Sequence, residues 1–352
     1  MLYTAIDYHK RYSVACTMDA AGQRVRESRL ANAPEAFAAY FRCLPEKSRV
    51  VMEASWNWGW LFDLLGQTEG VEEVVLANPL KTRIIADAQI KTDRLDARAL
   101  CTLLRGDLVA RAHAASKPTR AKKDVLRQRV YWVRMRTRLR NRIHVVVDRQ
   151  YGLERPVCSD LFGQKGLTWL RQLELPDPDA LLLRQGLAIH DELVLRIKEL
   201  EKRLAEENRS DPAVQHLQSL PGVGAILATV IAAEIDRVDR FRTPDKLCSY
   251  AGLAPTTYAS GGRVHHGHLV PNCNRWLRWA LIEAAWVAIG CSPYFGAYYQ
   301  RHRDRGKKAN VTIAIVARRL CRIAWTLLRE NRDYLTVPPR AQTLSPAAPS
   351  TC

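Results

Sequence analysis

Long apolar runs and cysteine pairs are missing from this chain of 352 residues. No apolar run reaches about 18 residues, so no membrane-spanning helix is predicted, and we expect no signal peptide. The 9 cysteines are odd in number and none forms a CxxC, which argues against a disulfide framework. These absences favour a cytoplasmic protein with reduced thiols and no membrane partner.

Acidic residues are also few beside the basic ones. The chain has 54 Lys and Arg against 36 Asp and Glu, a formal charge of +18. Residues 120–149 alone hold eleven basic and two acidic residues. A basic enzyme without a polyanionic partner is the alternative, but this clustering favours nucleic acid, ahead of a membrane surface.

The N-terminal part predicts three strands followed by strands that alternate with helices. The predicted strands are 2–7, 12–18, 24–30, 49–53 and 73–77, and the first two helices between them are 34–44 and 58–65. A long helical region follows Pro79. This order is that of a ribonuclease-H-like, or RuvC-like, α/β domain.

The rest of the chain reads as mostly helical. Residues 118–150 and 176–209 predict two amphipathic helices, each about 45 Å long if unbroken, that would form a coiled-coil arm. A helical unit begins at residue 211, and the Pro-, Ser- and Ala-rich end predicts disorder. The predicted domains are 1–117, 118–210 and 211–335, with a disordered tail at 336–352.

Four acids stand at positions that suggest a metal site. Asp93 and Asp96, in "KTDRLDARAL", share a helix face because they are three residues apart. Asp7 ends the first predicted strand and Glu53 the fourth, so all four carboxylates are expected to converge beside the sheet. Two Mg²⁺ ions would relieve their mutual repulsion and clamp a phosphodiester.

Basic residues around these acids allow two interpretations. On a solvated face, the two helix acids would form ion pairs with their basic neighbours Lys91, Arg94 and Arg98. Beside a metal site, those residues together with Lys10 and Arg11 would contact a nucleic-acid backbone. The two additional acids at strand ends favour the metal site.

A glycine turn lies ahead of an apolar helix at residues 220–235. Its "LPGVG" is typical of one half of a helix-hairpin-helix. We expect this turn, in the C-terminal part of the chain, to bind DNA. The N–H groups of Gly222, Val223 and Gly224 would then point at a phosphate. An ordinary turn is the alternative.

Residues 258–268, "YASGGRVHHGH", hold a candidate nucleophile. Ser260 precedes two glycines in a segment without helical period, so we expect its hydroxyl on an exposed loop, with Arg263 close behind. A serine can attack phosphorus where donors or metals neutralise the phosphate; a turn serine is the alternative. The histidines at 265, 266 and 268 and Cys273 do not have the spacing of a zinc finger, and the role of the histidine group stays open.

The order of these motifs resembles a known family. Asp7, Glu53 and "KTDRLDAR", followed by a helical arm, "LPGVG", "YAGLAPTTYASGGR" and "NRWLRWAL", resemble the DEDD transposases of bacterial insertion sequences. These are the bridge-RNA-guided recombinases of the insertion-sequence one-ten group. The resemblance spans about residues 2–335, nearly the whole chain.

The resemblance implies a RuvC-like domain whose four acids bind Mg²⁺ and a C-terminal transposase domain in which Ser260 forms a phosphoserine link to DNA. It also implies a structured noncoding guide (bridge) RNA that pairs with donor and target DNA. Arg278 matches a recurring arginine of the family, and phosphate contact is its expected role. Cys273 stands where the family has glycine, which affects a local turn and no proposed catalytic group.

We therefore expect an RNA-guided DNA recombinase of the bacterial nucleoid, whose arm holds nucleic acid through Arg134, Arg138 and Arg142. A homo-oligomer is expected, a dimer that becomes a tetramer in synapsis, with Ser260 of one subunit meeting the carboxylates of another. One alternative is a Holliday-junction resolvase that activates water with the four acids. The other is a non-catalytic DNA-binding accessory protein, against which the four intact acids argue.

Overall fold

The structure is a computed structural model, and it describes residues 1–55, 57–85, 92–260 and 263–335. Side chains are described within these ranges except at 83–85, 258–260 and 263–266. The predicted tail at 336–352 lies outside the described residues.

The chain divides into two compact units, Met1–Lys117 and Pro118–Cys352. The two long helices and the C-terminal helices fall in the same unit, so a separate arm domain ending at residue 210 stays a prediction.

The first unit is built on a five-stranded mixed sheet. Its strands are β1 (Leu2–Tyr8), β2 (Tyr12–Met18), β3 (Arg24–Ala31), β4 (Ser48–Glu53) and β5 (Val71–Ala77). Their order is β3-β2-β1-β4-β5, with antiparallel pairing from β3 to β1 and parallel pairing from β1 to β5. The mixed α/β arrangement predicted from the sequence is confirmed.

Helices cover both faces of this sheet. One face carries α4 (Asp93–Arg105) and the other carries α1 (Pro34–Arg42) and α2 (Trp58–Leu65), while α3 (Pro79–Ile85) follows β5 along the chain. Along β1, Ala5 packs into the core that contains α4, whereas Ile6 packs into the core formed with α1 and α2. Side chains alternate along a strand, so Asp7 lies on the same face as Ala5, toward α4.

The second unit is mostly helical. Its helices are α5 (Lys117–Asp148), α6 (Gln164–Gln172), α7 (Asp179–Asn208), α8 (Pro212–Gln218), α9 (Ala225–Ile235), α10 (Pro244–Tyr250), α11 (Arg275–Cys291), α12 (Pro293–Asp304) and α13 (Ala309–Glu330). A two-stranded antiparallel hairpin, β6 (Pro255–Ser260) and β7 (Arg263–Leu269), lies between α10 and α11. The sequence predicted no helix there and placed Ser260 on an exposed loop. The described residues of this segment form no helix but two strands, which the sequence did not predict.

The two long helices α5 and α7 run antiparallel. Arg129 donates to Glu201 at 2.6 Å, Arg140 to His190 at 3.2 Å and Arg149 to Asp179 at 3.2 Å. As residue numbers increase along α5, the residue numbers of the partners on α7 decrease. With 32 and 30 residues, the helices are about 48 and 45 Å long.

Helices α8 to α11 and α13 enclose one large core. Ile231, Leu281 and Leu320 are fully buried in it. Among the described helices, no single one is long and apolar enough to cross a membrane. Only α11 and α12 together reach that length and composition, and they are bent by 102°.

The glycine turn before α9 depends on a close backbone approach. Gly222 has a φ of 82°, and a Cβ there would lie 2.2 Å from the carbonyl oxygen of Ala284 on α11. Replacing Gly222 with alanine should therefore lower the free energy of unfolding by at least about 2 kcal/mol, because the left-handed backbone and the overlap both oppose it. Urea denaturation of the purified variant measures this loss.

Gly224 is the matched control in the same turn. Its φ is −78°, and a Cβ added there meets no atom within 4 Å. Gly224→Ala should change stability by no more than about 1 kcal/mol. Equal effects of the two substitutions would contradict the role given to the contact between Gly222 and α11.

Candidate active site

Asp7 and Glu53 end neighbouring parallel strands. The register pairs Ala5 with Val51 and Ile6 with Met52, so Asp7 and Glu53 follow at the next matching level. Both Ala5 and Val51 pack into the core shared with α4. Alternation along each strand thus directs both carboxylates toward the α4 face of the sheet.

The first turn of α4 brings Asp93 to the same place. Thr92 caps this helix by accepting a hydrogen bond from the Leu95 N–H at 3.3 Å. His9, in the turn after β1, connects the two carboxylates: its Nε2 lies 3.0 Å from Asp7 Oδ2 and 3.4 Å from Asp93 Oδ1. Ligand atoms of Asp7, His9 and Asp93 all lie within 4.8 Å of one another.

Tyr12 fixes the orientation of Asp93. Its hydroxyl donates to Asp93 Oδ2 at 2.7 Å, and this bond raises the pKa of Tyr12, so the hydroxyl stays protonated. The guanidinium of Arg29 lies 3.8 Å from the centre of the Tyr12 ring. Asp93 Oδ1 faces His9. Asp93 and Tyr12 also line a cavity of about 320 Å³, together with Glu27 and Arg29 on β3 and without Asp7 or His9.

The electrostatics of the site favour a bound cation. Burial raises the pKa of Asp7; the nearby His9 opposes that shift, while the charges of Asp93 and Asp96 add to it. Carboxylates that disfavour one another's charge are relieved by a divalent cation. Two carboxylates and an imidazole within bonding reach of one point fit such an ion.

The structure places the four predicted acids unequally. Asp7 and Asp93 share one cluster with His9. The charge of Asp96 is near enough to raise the pKa of Asp7. Glu53 is exposed at the end of the adjacent strand β4. Convergence of all four acids on two Mg²⁺ ions stays a prediction.

The basic neighbours of the helix acids make a different ion pair. Arg98 Nε lies 2.6 Å from Glu27 Oε2 on β3, and Arg94 Nε lies 3.6 Å from Glu27 Oε1. The hydrogen bond from Arg98 lowers the pKa of Glu27. These two arginines therefore pair with Glu27 and not with Asp93 or Asp96. The solvated-face interpretation also included Lys91, which lies outside the described residues, so that part stays a prediction.

The remaining basic residues predicted near the acids differ in position. Lys10 and Arg11 are exposed in the turn beside His9, and their contact with nucleic acid stays a prediction. Lys91 lies outside the described residues.

Sequence reasoning missed His9 and Tyr12. The signal was present in "AIDYHKRY", because a tight turn after a strand-end acid returns nearby side chains to it.

Ser260 is the last residue of β6 and pairs in register with Arg263, the first residue of β7. It therefore lies at the tip of a hairpin. Gly261 and Gly262, and the side chains of Ser260, Arg263, His265 and His266, lie outside the described part of the chain. His268 is exposed on β7.

Arg278 on α11 secures the base of this hairpin. Its guanidinium donates to the carbonyl oxygens of Gly252 at 2.8 Å, of Ala251 at 3.4 Å, and of Val270, which follows β7. Asn274 caps the same helix by accepting from Leu277 N–H at 2.9 Å. These contacts favour a positioning role for Arg278, and phosphate contact stays a prediction.

The LPGVG turn uses part of its polar backbone internally. Val223 N–H donates to the Leu220 carbonyl at 3.1 Å, so the prediction that it points at a phosphate is wrong. Gly222 is held against α11, while Gly224 is exposed where α9 begins. Phosphate binding by Gly222 and Gly224 stays a prediction.

The predicted arginines of α5 form an exposed stripe. Arg134, Arg138 and Arg142 follow one another at intervals of four residues, and all three are exposed. Within the described part of the chain none of them forms an ion pair, unlike Arg129, which pairs with Glu201. The stripe therefore presents uncompensated positive charge.

Two family profiles match this chain. One of the DEDD group, described as "Transposase", covers residues 4–151, and one described as "Transposase IS116/IS110/IS902 family" covers residues 214–300. The chain belongs to the IS110/IS116/IS902 family of transposases.

Individual relatives support the assignment. "Insertion element IS116 uncharacterized 44.8 kDa protein" of Streptomyces clavuligerus is 30% identical, over 42% of this chain and 37% of its own length. "Probable family 20 transposase" of Pseudomonas aeruginosa is 27% identical over 69% and 74%. "Transposase for insertion sequence element IS1328" of Yersinia enterocolitica is 24% identical over 69% and 73%. The first match thus spans little more than a third of that relative.

Proposed function

We propose that this protein is the transposase of an insertion sequence, a recombinase that cuts and rejoins DNA under the guidance of a noncoding RNA. One observation carries the proposal: Asp7 from β1 and Asp93 from α4 meet at a single point, in a chain of a transposase family. In this proposal the first unit is the RuvC-like catalytic domain.

The acids hold the metal in this scheme. Asp7 and Asp93, with Glu53 and Asp96 beside them, supply oxygen ligands, and Tyr12 keeps Asp93 in the required orientation. When bound, two Mg²⁺ ions would stabilise negative charge on the scissile phosphate. Lys10 and Arg11 hold the nucleic-acid backbone at the rim of the site.

Ser260 is the proposed nucleophile. Its Oγ forms a bond to phosphorus while the bond between phosphorus and the 3′ oxygen breaks. The products are a phosphoserine link and a free 3′-hydroxyl, which in the net balance takes the serine proton. Because the new ester keeps the energy of the broken one, a 3′-hydroxyl from another strand can reverse the step without ATP.

A direct experiment tests this function. The nucleic acid that copurifies with the protein is sequenced, and DNA matching it is incubated with the complex in Mg²⁺ or in EDTA. We expect a structured RNA, Mg²⁺-dependent cleavage, and DNA that stays attached to denatured protein. Cleavage without attachment would favour water as the nucleophile, and absence of RNA would remove the guide.

The exposed stripe on α5 is proposed to bind RNA or DNA backbone. Replacing Arg134, Arg138 and Arg142 together with glutamine should weaken binding and lower the slope of log K against log salt by about 2 to 3, because each lost phosphate contact contributes about 0.7 to 0.9. Filter binding across a salt series measures the slope.

The control replaces three arginines that are exposed but already paired. Arg171, Arg196 and Arg203 have side chains 52%, 58% and 61% exposed and lie 2.8, 2.7 and 3.0 Å from carboxylates. Their triple glutamine variant should leave the slope nearly unchanged. Equal slopes for the stripe variant and wild type would show that the stripe faces solvent only.

A further inference from the structure

The imidazole of His9 contacts two carboxylates through one nitrogen. Its Nε2 lies 3.0 Å from Asp7 Oδ2 and 3.4 Å from Asp93 Oδ1, and those acids come from different elements of the fold. A histidine that only supports one acid would need one of these contacts. The 3.0 Å contact is a hydrogen bond in the metal-free site, and the second contact places Nε2 between the two carboxylates, where a bound cation would replace the proton on that nitrogen.

The position of His9 is set by its own surroundings. The backbone N–H of His9 donates to the backbone carbonyl of Tyr12 at 3.0 Å, and the backbone carbonyl of His9 accepts from Asn32 Nδ2 at 2.7 Å. The imidazole lies against the Tyr12 ring, with centroids 5.0 Å apart. The two backbone hydrogen bonds fix the turn that carries His9, and the ring contact restricts the orientation of its imidazole before any ion binds.

The distances suit neighbouring ligands of one cation. Adjacent ligands of an octahedral ion with bonds of roughly 2.1 Å are about 3.0 Å apart. The nitrogen-to-oxygen distances of 3.0 and 3.4 Å are close to that separation. Two of the three separations therefore fit an ion among Asp7, His9 and Asp93, and the third, between the two carboxylate oxygens, is at most 4.8 Å.

We propose that His9 Nε2 is a ligand of the cation held by Asp7 and Asp93, and that this nitrogen makes the site prefer Mn²⁺ to Mg²⁺. The inference rests on the proposed function and adds a ligand and a metal preference to it. Mg²⁺ is a hard ion that favours oxygen ligands, whereas imidazole binds transition-metal ions well. A mixed nitrogen and oxygen set therefore favours Mn²⁺.

Electron spin-echo spectroscopy of bound Mn²⁺ tests the bond itself, since a coordinated imidazole gives a ¹⁴N modulation. The full-length protein is loaded with Mn²⁺ as wild type, His9→Ala, His9→Gln and Asp93→Asn, with His268→Ala as an exposed-histidine control. We expect the ¹⁴N signal in wild type and the control and its loss in both His9 variants. The affinity for Mn²⁺ should fall about tenfold or more in His9→Ala. In His9→Gln, the ratio of the affinity for Mn²⁺ to the affinity for Mg²⁺ should be smaller than in wild type.

Two results would overturn the inference, and they differ in what else they remove. In the first, wild type binds Mn²⁺ and Asp93→Asn does not, but the Mn²⁺ bound to wild type gives no ¹⁴N signal. That result would exclude His9 as a ligand and leave the acidic metal site intact. If wild type has no Mn²⁺ site sensitive to Asp93, both the ligand and the proposed metal chemistry fail. Circular dichroism of each variant confirms that it is folded, as expected for a side chain 37% exposed.

Discussion

Replacing Asp93 with asparagine is expected to reduce DNA strand cleavage by at least about 100-fold while leaving nucleic-acid binding nearly unchanged. The substitution removes one negative oxygen from the point where Asp7, His9 and Asp93 meet. It keeps the size of the side chain, and the amide oxygen can still accept from Tyr12. The lost charge lowers repulsion with Asp7, so the metal-free fold should be no less stable.

Glu35→Gln is the matched control for Asp93→Asn. Glu35 is also an acid in the first turn of a helix of the same unit, and it is exposed on α1. Cleavage by this variant should equal that of wild type, as followed on end-labelled DNA. Near-normal cleavage by Asp93→Asn would remove the acidic cluster from the mechanism.

Replacing Ser260 with alanine is expected to remove both cleavage and covalent attachment to DNA, since no other group is proposed to form the bond to phosphorus. Metal binding should persist in this variant, because the proposed ligands lie in the first unit. Gel analysis of denatured reactions measures the attached DNA, and Mn²⁺ binding measures the metal site in the same preparation.

Thr256→Val controls for damage to the hairpin. Thr256 is on the same strand, and its hydroxyl donates to the His268 carbonyl at 3.1 Å, so the substitution removes a hairpin hydrogen bond. This variant should still attach to DNA. If Ser260→Ala cut DNA at the wild-type rate, water would have to be the nucleophile, and this result would favour the Holliday-junction resolvase over the serine recombinase.

The sheet of the first unit was predictable because its strands have strong patterns. The apolar run before Asp7 and the run before Glu53 mark strands that end at an acid, and the structure has β1 and β4 there. The spacing of Asp93 and Asp96 indicated a shared helix face, and both lie in the first turn of α4.

Contacts between distant segments were not predictable from local pattern. Tyr12 reaches Asp93 across 81 positions, and nothing in the spacing of either residue indicates the bond. Arg278 donates to backbone carbonyls, which leave no trace in the side-chain pattern. The β6–β7 hairpin was missed because its polar and histidine-rich strands lack the alternation of a half-buried sheet.

The central claim is that a serine of this chain becomes joined to DNA. Reactions of DNA with the protein, purified together with any nucleic acid that it carries, are stopped by denaturation, digested with nuclease and protease, and examined by mass spectrometry. The account predicts a peptide carrying a nucleotide phosphate on Ser260, formed with a divalent cation and absent in Asp93→Asn. Efficient cleavage with every Ser260 peptide unmodified, or with the adduct on another residue, would contradict it.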